Sequence, residues 1–111
     1  MAWFGRKRGG MSGSQAREVE REAAEHFVAW MSSRRGIEVF TEPKTTLSQP
    51  TMMLVAHDGE FTRRPVRSPG DAQKFAREHQ LPIYDATVVG YPQRMRDYSR
   101  RQTLKDRRDR T

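Results

Sequence analysis

The chain predicts an α+β fold, a two-layer domain with an antiparallel four-stranded sheet and helices on one face in the order α-β-β-β-α-β. Three observations on its 111 residues carry that reading. Two stretches, beginning near Ser14 and at Ser68, place apolar residues at helical spacing. Four short segments, residues 37–40, 51–56, 60–66 and 83–89, read as strands bounded by turn signals. The charge is segregated: residues 91–111 carry eight cations against three anions, residues 1–14 add Arg6, Lys7 and Arg8, and residues 15–90 hold ten cations and eleven anions. A near-neutral body of residues 14–90 therefore lies between a basic N-terminal tail, 1–13, and an Arg-rich C-terminal segment, 91–111.

The first helix follows the Gly- and Ser-rich tail. Ser12 with Gln15 forms a capping box, and Ser14 is an alternative N-cap. Val19, Ala23, Phe27, Trp30 and Met31 make one apolar stripe as far as Ser33. Glutamates toward the start and Arg34 and Arg35 at the end suit the helix dipole. Gly36 is the stop. After a short strand, residues 41–50 form a polar loop with two prolines. The run Thr-Met-Met-Leu-Val-Ala at 51–56 is apolar enough to lie centrally in the sheet. His57-Asp58-Gly59 is a tight turn, since Asp-Gly readily supplies a positive φ. The third strand contains Pro65, which suits an edge.

Ser68-Pro69-Gly70-Asp71 opens the second helix: Ser68 caps, Pro69 takes the first helical position, and Asp71 stands where a capping-box acid belongs. Ala72, Phe75 and Ala76 face the sheet, and Leu81-Pro82 breaks the helix. Residues 83–89, rich in β-branched side chains, form the fourth strand up to Gly90-Tyr91-Pro92. A C-terminal helix from Pro92 has only Met95, Tyr98 and Leu104 to bury, so it needs support from the body or from a partner.

Several chemistries are excluded or unsupported. Without cysteine there is no disulfide, thiolate zinc site, iron–sulfur cluster or thiol catalysis. His26, His57 and His79 stand on different elements with no second ligand at metal spacing. Gly5, Gly9 and Gly10 follow no strand, so they make no dinucleotide fingerprint, and no cofactor is indicated. No apolar run approaches the ~20 residues of a membrane-spanning helix. Trp3 and Phe4 beside Arg6, Lys7 and Arg8 suit only a weak contact with an anionic membrane surface.

The candidate site is the C-terminal segment. Arginine suits phosphate because its guanidinium fork binds two oxygens at once. Arg94, Arg96, Arg100, Arg101, Lys105, Arg107 and Arg108 are the candidate contacts, with Arg96, Arg100, Lys105 and Arg107 sharing a broad helical face. Tyr91 and Tyr98 are placed either to stack on bases or to pack on the body. Arg63, Arg64 and Arg67 extend the same face if the segment folds back along the third strand. The expected partner is a polyanion, RNA or a ribonucleoprotein first, with an acidic protein surface as the alternative.

Glu42-Pro43-Lys44-Thr45-Thr46, Leu54-Val55-Ala56-His57-Asp58-Gly59-Glu60, Ile83-Tyr84-Asp85 and the GYPQRMRDY run at 90–98 resemble a family of small basic actinobacterial proteins. Some of its members carry an oxidoreductase label. The resemblance spans most of residues 34–101 and implies a cytoplasmic protein; it carries no catalytic residue onto this chain. The pattern of Ser68, Asp71-Ala72, Phe75-Ala76 and Tyr84 is similar to a small accessory subunit of respiratory complex I, which implies the alternative of a docking subunit. The β-β-β-α portion also resembles double-stranded-RNA-binding domains, although their basic second-helix cluster is reduced here to Lys74 and Arg77.

Overall fold

A computed structural model describes residues 13–43, 45 and 49–110. The expected basic tail, the Ser12 cap and the Trp3, Phe4, Arg6, Lys7 and Arg8 surface lie outside the described residues. The elements run α1 (Gly13–Met31), β1 (Glu38–Glu42), β2 (Thr51–Val55), β3 (Phe61–Pro65), α2 (Pro69–Glu78), β4 (Ile83–Asp85), α3 (Ala86–Val89) and α4 (Gln93–Asp109).

The sheet order is β3-β2-β1-β4. β2 is central, and β3, with its proline, is an edge, as the sequence indicates. The expectation of a wholly antiparallel sheet is corrected: β1–β2 and β2–β3 are antiparallel, but β4 pairs with β1 in parallel, Phe40 opposite Tyr84. The connection explains the direction. After β3, helix α2 carries the chain back to the end where β3 began. β4 therefore points the same way as β3 and, two reversals earlier, β1.

The two-layer expectation is corrected as well, because both faces of the sheet are covered. Val39, Met52, Leu54 and Ala56 pack with Ala23 and Phe27 of α1 and Ala72 and Ala76 of α2. The alternate residues Phe40, Met53 and Val55 pack with Ala86 of α3 and Met95 of α4. The run at 51–56 has no polar alternation because neither of its faces meets water. Val19, expected in the α1 stripe, stays 39% exposed; full burial on α1 begins at Ala23.

Local chemistry sets most boundaries. The Ser68 hydroxyl accepts the Asp71 N–H at 3.3 Å and Pro69 leads α2, as predicted. Gly36 has φ +63 but follows α1 by several residues, so it shapes the turn into β1 and does not end the helix. Ser14 lies within α1 and does not cap it. The fourth strand stops at Asp85, short of the predicted Val89. The Asp85 carboxylate accepts the Thr87 N–H at 2.8 Å and its hydroxyl at 2.6 Å, an N-cap that starts α3. That local bond outweighs the strand preference of Thr87, Val88 and Val89.

Candidate nucleic-acid interface

Helix α4 has two halves with different surroundings. Its first two turns lie against the β2–β3 turn. Gly59 has φ +94, and a Cβ there would stand 1.9 Å from the Arg94 carbonyl oxygen, so α4 approaches bare backbone. Met95 is buried in the second face. Arg94 donates from Nε to the Ala56 carbonyl at 3.0 Å and from Nη2 to Glu38 at 2.5 Å. The Tyr84 hydroxyl also donates to Glu38, at 3.4 Å. Tyr98 has its hydroxyl pKa raised by burial, with Glu60 and Asp58 adding to the effect.

Just ahead of α4, Glu42 gathers three donors. Arg63 reaches it through Nε at 3.0 Å and Nη2 at 3.1 Å, the Thr51 hydroxyl donates at 2.5 Å, and the Tyr91 hydroxyl donates to its second oxygen. Burial alone would raise the Glu42 pKa, but the bonds from Arg63, Thr51 and Tyr91 prevail and lower it. The bond to Glu42 in turn raises the Tyr91 pKa.

The basic group on β3 divides by strand alternation. Arg63 points to the Glu42 face, while Arg64 points to the α1 face, 3.3 Å from His26 Nδ1. His26 meets the Thr62 hydroxyl at 2.7 Å, and burial followed by the Arg64 and Arg34 charges lowers its pKa. Arg67 pairs with Glu20 of α1 at 2.6 Å. These three arginines do not form one patch with α4.

The outer half of α4 is different. Every residue from 99 to 110 is exposed, in a rod ~16 Å long. Residues 100–110 carry Arg100, Arg101, Lys105, Arg107, Arg108 and Arg110 against Asp106 and Asp109. At 3.6 residues per turn, Arg96, Arg100 and Arg107 share one side, while Arg101 and Arg108 lie about 100° farther round, on the side of Tyr98. Asp106 and Asp109 fall toward the Met95 side. Lys105, expected on the same face as Arg100, is five residues away and so roughly 140° round the helix. Arg96 is held by the Gln93 side chain at 2.6 Å and Arg100 pairs with Asp97 at 3.2 Å, both at the surface. Arg101 donates to the Asp58 carbonyl at 2.9 Å. Lys105, Arg107 and Arg110 make no side-chain hydrogen bond or ion pair among the described residues.

Sequence reasoning missed Glu38 and Glu42, which hold Arg94 and Arg63. The signal was the alternation Glu38-Phe40-Glu42 on one side of β1, which sets two carboxylates around an aromatic ring. An apolar cleft of about 240 Å³ between α1 and α2, over Phe27, Met52 and Phe75, has Glu20, Asp71, Lys74 and Glu78 at its edge. That is below the ~300–1,000 Å³ usual for small-molecule sites. Among the described residues no three His, Cys, Asp or Glu side chains converge to hold a metal ion, and no helix is long and apolar enough to cross a membrane. Comparison of the chain with protein-family models, curated proteins and solved structures finds no match in any of the three.

Proposed function

We propose that this protein is a non-enzymatic binding module whose α+β body presents the outer half of α4 to a nucleic acid, RNA or a ribonucleoprotein first. One observation carries the reading: residues 99–110 are all exposed, and six cations stand among them against two anions. Exposed cations with few internal partners are available to replace the counterions of a phosphate backbone, and that exchange dominates nucleic-acid affinity. The arginines of the inner half have other work, because Arg94 holds α4 to β1 and β2.

The alternative, an accessory subunit that docks through residues 91–98, has less support. Met95 and Arg94 of that stretch are engaged by the chain's own sheet. Pull-down with and without nuclease separates the readings, since partners lost on nuclease treatment favour nucleic acid.

The test is a filter-binding titration across a salt series. Neutralising about five phosphates gives a log–log slope near −4 on duplex DNA and a shallower one on single strands. Absence of binding at low salt, or binding indifferent to salt, rejects the proposal.

A further inference from the structure

The geometry points to a second part of the interface: we propose that a cleft beside the β2–β3 turn is a subsite for one nucleotide of a single-stranded nucleic acid. This rests on the nucleic-acid reading of α4 and narrows it to one strand rather than a duplex. The cleft, about 500 Å³, lies between the end of α1 and the turn, with Ser33, Arg34, Arg35, His57, Asp58 and Glu60 in its wall.

Backbone contacts fix the wall. The His57 N–H donates to the Arg35 carbonyl at 3.0 Å. A Cβ on Gly36 would stand 2.8 Å from the His57 Cβ, so the two segments touch where Arg35 and His57 emerge. Of the two acids of the cleft, Glu60 pairs with a cation, Arg34, at 2.7 Å, and Asp58 Oδ1 accepts a backbone N–H, that of Glu60, at 3.0 Å. Arg34 is itself held, its guanidinium 4.5 Å from the Trp30 ring centre and bonded to the Trp30 carbonyl at 3.0 Å. Arg35 and His57 are exposed and carry no side-chain hydrogen bond or ion pair among the described residues.

Arg101 joins this cleft to α4. Its guanidinium donates to the Asp58 carbonyl at the cleft wall and lies 5.7 Å from the Tyr98 ring centre. Arg108, two turns farther out, continues the same side of the helix ~10 Å away. A phosphate chain lying along Arg108 and Arg101 therefore reaches Arg35 and His57 next.

The recess selects one strand. It has room for a single sugar-phosphate unit with its base. A duplex is stiff over ~150 base pairs and keeps its bases paired inside, so it cannot insert one. An unpaired base can stack on an imidazole or a guanidinium plane, and His57 and Arg35 supply these in the wall. The Arg35 fork fits the adjoining phosphate.

The test is fluorescence anisotropy on the full chain with two labelled probes, a short oligouridylate and an RNA duplex of the same length, across a salt series. Arg35→Ala with His57→Ala should weaken oligouridylate binding about tenfold. The salt slope should become shallower by about 1, and duplex binding should not change. Both side chains are exposed, so an unchanged thermal midpoint confirms folding, and Arg35→Glu alone should reproduce the direction. Unaltered oligouridylate binding by these variants, or duplex binding as tight as single-strand binding, overturns the subsite while leaving the α4 reading intact. If the wild-type chain binds neither probe, the α4 reading falls and the subsite with it.

Discussion

Arg94 and Arg107 lie on one helix, less than four turns apart, and do opposite things. Arg94 is enclosed by Ala56 and Glu38 and fastens α4 to the sheet. Arg107 stands in solvent with no partner among the described residues. The difference comes from what each half of α4 meets: the inner half closes the second face of the sheet, whereas the outer half extends past it. Arginine content alone therefore says little about which cations are available to a ligand. Burial of the neighbouring positions, Met95 on one side and exposed Leu104 on the other, decides it.

The comparison predicts separable effects. Gly59→Ala should do the most damage, because the new Cβ meets the Arg94 carbonyl and the backbone keeps a positive φ. A loss above about 3 kcal/mol in urea unfolding is expected. Gly90→Ala is the control: Gly90 also has positive φ, but nothing lies within 4 Å of its Cβ position. Backbone strain alone should cost about 1–3 kcal/mol there. Equal losses at the two glycines would show that α4 is not seated on Gly59.

Met95→Ala should follow, at about 2 kcal/mol by the same measurement, for one largely buried side chain withdrawn from the second face. Arg107→Ala with Arg108→Ala should leave stability within about 0.5 kcal/mol, while the salt slope for nucleic acid becomes shallower by about 2. A stability loss comparable to that of Met95→Ala would mean that the outer half also packs.

The smallest effect concerns acid stability. The Glu42 pKa is lowered in the folded state. Its contribution is therefore complete above the ordinary glutamate value and is lost as the pH falls through the lowered one. Urea midpoints measured from neutral pH down to about pH 3 should fall more in the wild type than in Glu42→Gln. Parallel curves would show that the Arg63, Thr51 and Tyr91 bonds do not hold the carboxylate.

Much of this fold was legible where local chemistry acts. Ser68 and Pro69 marked the start of α2, and His57-Asp58-Gly59 marked a turn whose glycine has positive φ. Asp85 was equally local, but three β-branched neighbours hid its capping role. The second covered face was also written in the sequence. Residues 51–56 lack polar alternation, which a sheet open on one side would require. That signal places something apolar over Met53 and Val55, and Met95 supplies it. The pairing of Arg94 with Glu38 across 56 residues was not legible, because periodicity fixes the face of an element and not the partner across it. The same gap left Arg35 and His57 unconnected until the turn brought them together.

The outer half of α4 is open to direct test by shortening the chain. A cut after Val89 would also remove Met95 and Arg94 and so uncover the second face. Among the described residues, a cut after Ser99 removes only exposed ones. The decisive measurement is the salt dependence of oligonucleotide binding by the full chain and by the chain ending at Ser99. The expected result is a steep slope for the full chain and a much shallower one, with weaker binding, for the shortened chain. Equal slopes and affinities would contradict the assignment of binding to the α4 arginines.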